Sequence, residues 1–365
     1  MRSAQHFLAG DLPTLAVIHV TNVTGNIVSM ASIRDVATKA GVSTATVSRV
    51  INNHPSVTVE TRRAVHEAMD FLCYVPNRNA VQLSGKCSGL IGVVVPNLVN
   101  PHFCELLASL EEEARYVGKT ILVKTHQNQP FQDRQLIRAL AGMGIDALIW
   151  VPTEAEVSLS DWLKATGIHT AVVTQTSRFF DSVSNNQERG AETIAEHFID
   201  IGRTCFGFIG QDGVDNRKMS AFCKKVLSHG YRVEKHHSYW IPKGDGENNR
   251  GHIQSLDNIV DNILAQKGKL NCLFIYNDVA ASYIIENLRR RGVNIPEDIA
   301  IASFDNTIIA QMMNITSIAQ PINEMGKLAF ELINSSENKE HIDSIELTTK
   351  LIVRESSLSV TVTKI

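Results

Sequence analysis

With 365 residues, 44% of them hydrophobic and 20% charged, the chain has the composition of a globular protein too long for one folding unit. No apolar run is long enough to span a bilayer. The six cysteines, without C-x-x-C or zinc-like spacing, exclude a disulfide framework and read as reduced residues in a cytosolic protein. The formal charge of −3 is unevenly spread. Residues 31–86 hold seven Lys/Arg against four Asp/Glu, a basic block on an acidic body, which suggests nucleic acid at one end.

Residues 1–31 precede the first patterned segment. The apolar stretch that contains "LAVIHV" is interrupted upstream by Asp11 and Pro13, and no small-residue cleavage site follows it, so no signal peptide is expected. Met30 stands directly before the pattern as an alternative start, and the segment is expected to be a disordered or non-native extension. Residues 32–76 read as three helices: "SIRDVATKAG" ending in Gly41, "STATVSRVINN" with Ser43 as N-cap, and "TVETRRAVHEAMDFL". Residues 77–88, with two asparagines and a glycine around a short helical stretch, read as a linker.

From residue 89 to 358, β-rich runs alternate with amphipathic helices. The strands are "LIGVVVP", "TILVKTH", "ALIWVP", "TAVVTQ", "FGFIG", "CLFIYN", "IAIASFD" and "KLIVRE", and the helices include 103–117, 133–143, 190–201, 217–229 and 279–291. Apolar strands alternating with helices indicate parallel sheets covered on both faces, and about 270 residues of them suggest two α/β subdomains. Residues 359–365 form a tail. In such folds ligands sit beyond the strands' carboxyl ends, which points to Pro96–Phe103, Thr174–Arg178, Gln211–Arg217, Asn277–Asp278 and Phe304–Asn306.

The first two helices, joined by "AGVS", fit a helix-turn-helix with Ala37, Val42 and Val47 as its small core. Thr44, Ala45, Ser48 and Arg49 then lie on the outer face. Short side chains let a helix approach base edges, alanine can meet a thymine methyl, and arginine can reach guanine or a phosphate. The same residues would also suit an ordinary helical hairpin with a solvated arginine.

"IRDVATKAGVSTATVSRVINNHPSVTVETRRAVHEAMDFLCYVPNRNAVQLSGK" closely resembles the head piece and hinge of the LacI/GalR family of bacterial transcription regulators. The likeness continues through "LIGVVVPNLVNPHF", "LFIYNDVAA", "RRGVNIPEDIAIASFDN" and "SIAQP", over about residues 32–356. It implies a multi-domain protein: an all-α helix-turn-helix DNA-binding domain followed by an α/β core of two subdomains resembling periplasmic sugar-binding proteins. It further implies a dimeric DNA-binding repressor. Carried over, base reading falls on Thr44, Ala45 and Arg49, and phosphate contact on Ser43, Thr46, Ser48 and Asn52. Leu83 takes the place of the leucine that wedges into the central minor-groove step, with Asn77, Arg78, Asn79 and Gln82 near backbone or groove edges.

For a ligand, "PNLVNPHF" offers His102 to bond a hydroxyl and Phe103 to stack on a ring, although Phe103 would equally suit a helix-start core position. Asn277 matches a family position that bonds effector hydroxyls, and Asp278 beside it suits a helix N-cap. Asp305 ends an apolar strand, where a carboxylate accepts two adjacent hydroxyl protons. Two departures from the family pattern concern the ligand. Arginines expected three or five residues before a glycine-aromatic pair are replaced by Lys218 and Asn216, before Ala221-Phe222, with Arg217 between them. Gln175 stands where some sugar-responsive members carry aspartate. A neutral sugar, a sugar acid and a nucleoside all remain compatible.

"HHSYW" at 236–240 has no second ligand pair at metal spacing and suits a surface strand or loop. "GMG" at 142–144 follows a helix and is no dinucleotide loop; no Walker A, nucleophile elbow or acid–base pair occurs. The expectation is therefore a cytosolic, cofactor-free, non-enzymatic regulator that binds double-stranded operator DNA as a homodimer and answers to a small polar effector. A solute-binding protein of a transport system is the alternative.

Overall fold

The computed structural model describes residues 31–51, 54–75, 87–129, 132–152, 157–242, 250–266, 269–335 and 341–358. The expectations for the N-terminal extension, Asn52, the hinge residues Asn77, Arg78, Asn79, Gln82 and Leu83, and the C-terminal tail fall outside them. The chain divides into two compact units, Met1–Asn79 and Ala80–Ile365.

In the first unit, helix α1 (Ile33–Ala40) begins with a capping box in which Ser32 accepts from the Asp35 amide and the Asp35 carboxylate accepts from the Ser32 amide. It stops because Gly41 takes a left-handed φ of 68°, returning its N–H to the carbonyls of Ala37 and Thr38. Helix α2 (Thr44–Ile51) follows after Gly41, Val42 and Ser43, and α3 (Val59–Phe71) is capped by Thr58. Val36, Ala37, Val47, Val50, Val65 and Ala68 meet in a small core, with Val42 half-buried at its edge. Each large apolar side chain so buried contributes about 1.5–3 kcal/mol, so this unit stands on few contacts.

The second unit contains two six-stranded sheets. The first is built from β1 (Leu90–Val95), β2 (Thr120–Thr125), β3 (Ala147–Trp150), β4 (His169–Thr174), β5 (Asp181–Asn185) and β11 (Ser344–Leu347), in the order β11-β5-β4-β3-β1-β2, all parallel. The second holds β6 (Phe206–Gln211), β7 (Val233–Ile241), β8 (Cys272–Ile275), β9 (Ala300–Asp305), β10 (Thr316–Ala319) and β12 (Lys350–Ile352), in the order β12-β10-β9-β8-β6-β7, with β12 alone antiparallel. The chain passes between subdomains three times: after β5, after β10 and after β11.

Helices cover both faces of each sheet, so the strands read as continuous apolar runs. On the first sheet α4 (Pro101–Tyr116) and α12 (Ile322–Asn334) pack one face, and α5 (Gln132–Gly142) with α6 (Val157–Thr166) the other. On the second, α7 (Gln187–Asp200) and α8 (Asn216–Ser228) oppose α9 (Arg250–Ala265) and α10 (Asp278–Arg290); the short α11 (Ile308–Met312) precedes β10. Gly190 lets α7 lie directly on Phe304: a Cβ there would stand 2.8 Å from the ring.

All eight expected strands and five expected helices are present, the helices shifted by one to three residues. Strands β5, β10 and β11 and helices α6, α9, α11 and α12 add to them, and "HHSYW" lies within the edge strand β7. One local expectation is corrected. Asp278 does not cap α10; Asn277 does, its Oδ1 accepting from the Ala280 amide at 2.8 Å. The Asp278 side chain turns inward instead, because four hydrogen-bond donors wait for it there.

Candidate DNA-reading helix and ligand cleft

On α2 the inner face is fixed by Val47 and Val50, leaving Thr44, Ala45 and Arg49 exposed and Ser48 half-buried. Ser43 Oγ accepts from the Thr46 amide at 3.1 Å and shares a 2.9 Å hydrogen bond with Thr46 Oγ1, so it caps the helix. The Arg49 carbonyl accepts from the His54 amide at 2.9 Å, and Arg62 donates to the His54 carbonyl, tying α3 to the end of α2. The exposed face thus carries one long cationic side chain among very short ones. Such a surface fits into a groove whose floor presents hydrogen-bonding edges.

In the second unit a cleft of about 410 Å³ opens at the carboxyl ends of the strands. It is of a size that holds small molecules. The six residues singled out in the sequence (His102, Phe103, Gln175, Arg217, Asn277 and Asp305) all line it, as do parts of all five segments picked by the strand-end rule. Amides dominate the remaining wall, among them Asn97, Asn100, Asn128, Gln187, Gln211 and Gln320. An amide presents both donor and acceptor, so this lining suits hydroxylated or heteroaromatic molecules.

Asp305 is held from both subdomains. Asn100, the N-cap of α4, donates from Nδ2 to Asp305 Oδ2 at 2.9 Å, and Gln320, on the second crossing, donates to Oδ1 at 2.5 Å. The backbone there is strained: Asp305 has φ 106° and Asn306 φ 54°. The buried Asp278 carboxylate accounts for the restraint. It accepts from Ser303 Oγ at 2.5 Å, Ser317 Oγ at 2.7 Å, and the Thr307 amide and hydroxyl at 2.6 and 2.9 Å. Ser317 Oγ in turn accepts from the Asn306 amide at 2.9 Å, and Arg354 donates to Asn306 Oδ1 at 2.6 Å. Burial pushes the Asp305 carboxyl up to about 6 against the pull of Lys218, and burial together with Asp305 does the same to Asp278.

His102 is buried, and burial followed by the nearby Lys218 charge lowers its pKa to about 4. It is a neutral imidazole near neutral pH, with one ring nitrogen to donate and one to accept. Phe103 meets it edge-on at 5.2 Å and also packs on the first sheet's core, so the stacking and core expectations meet in one half-buried side chain. A second bridge crosses the cleft where Asn128 Nδ2 donates to Gln211 Oε1 at 3.1 Å. Gln175 is half-buried in the wall, and Arg217 is exposed at the rim.

Lys218, noticed in the sequence only as a departure, is the buried cation of this cleft. Its Nζ lies 3.0 Å from Asp215 Oδ1 and 4.6 Å from the Phe304 ring centroid. The signal was present: Asp215 and Lys218 are three residues apart at the start of a helix, one turn's reach. Asn128, Gln187 and Gln320 carried no such signal. Among the described residues no cluster suited to a metal ion occurs, and no helix is long and apolar enough to cross a membrane.

Comparison with known proteins agrees with this geometry. Residues 32–77 match the lacI family of bacterial regulatory proteins, and residues 195–357 match the periplasmic binding protein-like domain. The chain belongs to the lacI family of bacterial regulatory proteins. It is accordingly a regulator and not an enzyme. Among its relatives is the HTH-type transcriptional repressor PurR of Photobacterium profundum, 29% identical over 337 residues, covering 90% of this chain and 98% of the relative. The catabolite control protein A of Priestia megaterium is 29% identical over 337 residues and covers 89% and 99%. Of solved structures, a LacI-family transcriptional regulator from Silicibacter pomeroyi superposes with a TM-score of 0.77 at 22% identity, over 89% of this chain and 99% of that one. The lac repressor dimer bound to operator and the anti-inducer ONPF gives 0.74 at 21% identity, over 90% and 99%. At such identities these two structures speak to the fold.

Proposed function

We propose that this regulator is a DNA-binding repressor of transcription that grips a pseudo-palindromic operator as a homodimer and is controlled by a small polar effector. The observation that carries the reading is the coexistence, in one lacI-family chain, of an exposed short-side-chain helix ending in Arg49 and an amide-lined cleft. A solute-binding protein would have use for the cleft but none for residues 32–77.

In this reading residues 32–76 read DNA, residues 77–88 form the hinge, and residues 89–358 bind the effector and dimerise. Thr44, Ala45 and Arg49 meet base edges, while Ser43, Thr46, Ser48 and Asn52 meet phosphates. Leu83 wedges into the minor groove with Asn77, Arg78, Asn79 and Gln82 beside it. His102, Phe103, Gln175, Arg217, Asn277 and Asp305 contact the effector. Because Asn100 and Asp305 bond across the cleft, a ligand that replaces this bond binds one cleft arrangement better than another and shifts the population that holds DNA.

The test is selection of a randomised duplex pool on the full chain. Enrichment of one pseudo-palindrome, with two chains per duplex by sedimentation, is the expected result. A pool that stays random at moderate salt, where phosphate contacts alone no longer hold DNA, would sink the reading.

A further inference from the structure

The charges of the cleft narrow its ligand beyond what its amides allow, and this step rests on taking the cleft as the effector site. Lys218 and Asp215 have side chains only 11% and 3% exposed and are 3.0 Å apart. The Lys218 ammonium also donates to the Tyr276 carbonyl at 3.4 Å and faces the Phe304 ring. The second Asp215 oxygen accepts from the Gln211 amide at 2.9 Å, which fixes the carboxylate against its partner. Asp305 feels both members of the pair, drawn by Lys218 and repelled by Asp215, and the fully buried Asp278 lies behind it. One ammonium therefore serves a neighbourhood of three carboxylates. Of the other basic side chains in the described lining, His102 is uncharged near neutral pH and Arg217 stands in water at the rim.

We infer that the Asp215–Lys218 pair makes this cleft select an uncharged hydroxylated ligand and refuse the corresponding acid. An anion entering the cleft would have to draw Lys218 away and leave Asp215 buried without its partner, the costly way to break such a pair. A hydroxyl makes no such demand. It donates to the remaining lone pairs of Asp305 and accepts from the amides around it. Lys218 is thus a specificity-determining residue that acts through being already occupied, and an arginine-like grip on a carboxylate or phosphate is withheld.

The experiment titrates the full chain with matched pairs: hexoses with their hexuronic acids, aldoses with their aldonic acids, and nucleosides with their 5′-monophosphates. Melting midpoints locate the responding pair and calorimetry measures it. The uncharged member should bind, and its acid at least about tenfold more weakly. Asp215→Asn keeps an oxygen for the Gln211 amide while releasing Lys218, and should shrink or reverse that ratio. If this variant unfolds, the ratio measured on the unaltered chain still decides the inference. Equal or tighter binding of the acid by the unaltered chain overturns the inference and leaves the cleft as the effector site. So does an unchanged ratio in the folded variant. A panel in which neither member of any pair shifts the midpoint overturns the effector reading itself.

Discussion

Asn100 and Asp305 come from opposite subdomains, 205 residues apart in sequence, and meet at 2.9 Å across the cleft. The amide that caps α4 through its oxygen uses its nitrogen to hold the carboxylate at the end of β9. In the proposed reading the ligand site and the interdomain contact share these atoms, which gives a physical basis for coupling one to the other.

Removing the carboxylate should disable ligand binding first. Asp305→Ala deletes a charge-assisted acceptor, each such bond contributing on the order of 1.5–3 kcal/mol. Effector affinity should fall by at least about tenfold in calorimetry. An unchanged affinity with a lowered melting midpoint would mean that Asp305 serves structure alone.

The same residue gives the core a pH signature of defined sign. With a folded-state value of about 6 against an ordinary 3.8, Asp305 favours folding in its protonated form. That advantage is complete below about pH 3.8 and is lost as pH rises through about 6. Unaltered protein should therefore lose stability relative to Asp305→Asn across this window, by at most about 3 kcal/mol, with no further change above about pH 7. Denaturant titrations of both proteins at several pH values measure it; a difference that grows in the other direction contradicts the assignment.

Gly41 supports the reading helix through its backbone. Its φ of 68° is left-handed and no atom crowds the place where a Cβ would go, so Gly41→Ala pays only the conformational cost, about 1–2 kcal/mol. Given the small core of the first unit, DNA affinity of the full chain should drop with it. Asn tolerates this conformation better, so Gly41→Asn should recover part of the loss. Equal losses in the two variants would show that the turn is not the cause.

Arg49 should discriminate between sequences more than it adds affinity. A bidentate base contact contributes about 1–3 kcal/mol of discrimination, while phosphate attraction needs only charge. Arg49→Lys should keep most non-specific binding and lose most preference for the selected operator, read from paired mobility-shift titrations at fixed salt. Retained preference would move the reading role elsewhere on α2.

Gly190 tests the support beneath the cleft. The Cβ of Gly190→Ala would lie 2.8 Å from the Phe304 ring, so α7 or Phe304 must shift, at about 1–3 kcal/mol. Because Phe304 precedes Asp305 and faces Lys218, ligand affinity should fall together with the melting midpoint. A stability loss without an affinity change would show that the site is insulated from its packing.

What the sequence disclosed follows from what apolar patterning records. "LIGVVV" and "CLFI" are buried on both faces and announced themselves, and the strand-end rule then pointed to segments that do line the cleft. "DSVSN" did not, although Ser182 and Ser184 in β5 are buried. Their hydroxyls are satisfied by Ser344 and by the Ile345 carbonyl in β11, partners that arrive 162 and 161 residues later. Asp278 misled for a related reason: its pattern suited an N-cap, but its four donors come from β9, β10 and the residues after β9. The spacing of Asp215 and Lys218 was legible as a possible pair, but its burial was not, since nothing local says that a helical lysine turns inward.

The three passages between subdomains also set an order of assembly. The first sheet reaches its full width only when β11 arrives, and the second only when β12 does, both after the other strands of either sheet have been synthesised. During synthesis on the ribosome the β5 edge stands open while more than a hundred and fifty further residues emerge, and β12 closes the β10 edge almost at once after β11 closes that one. Neither subdomain can be cut out as a continuous stretch of gene, so exchange of a ligand site between such proteins must carry both halves together.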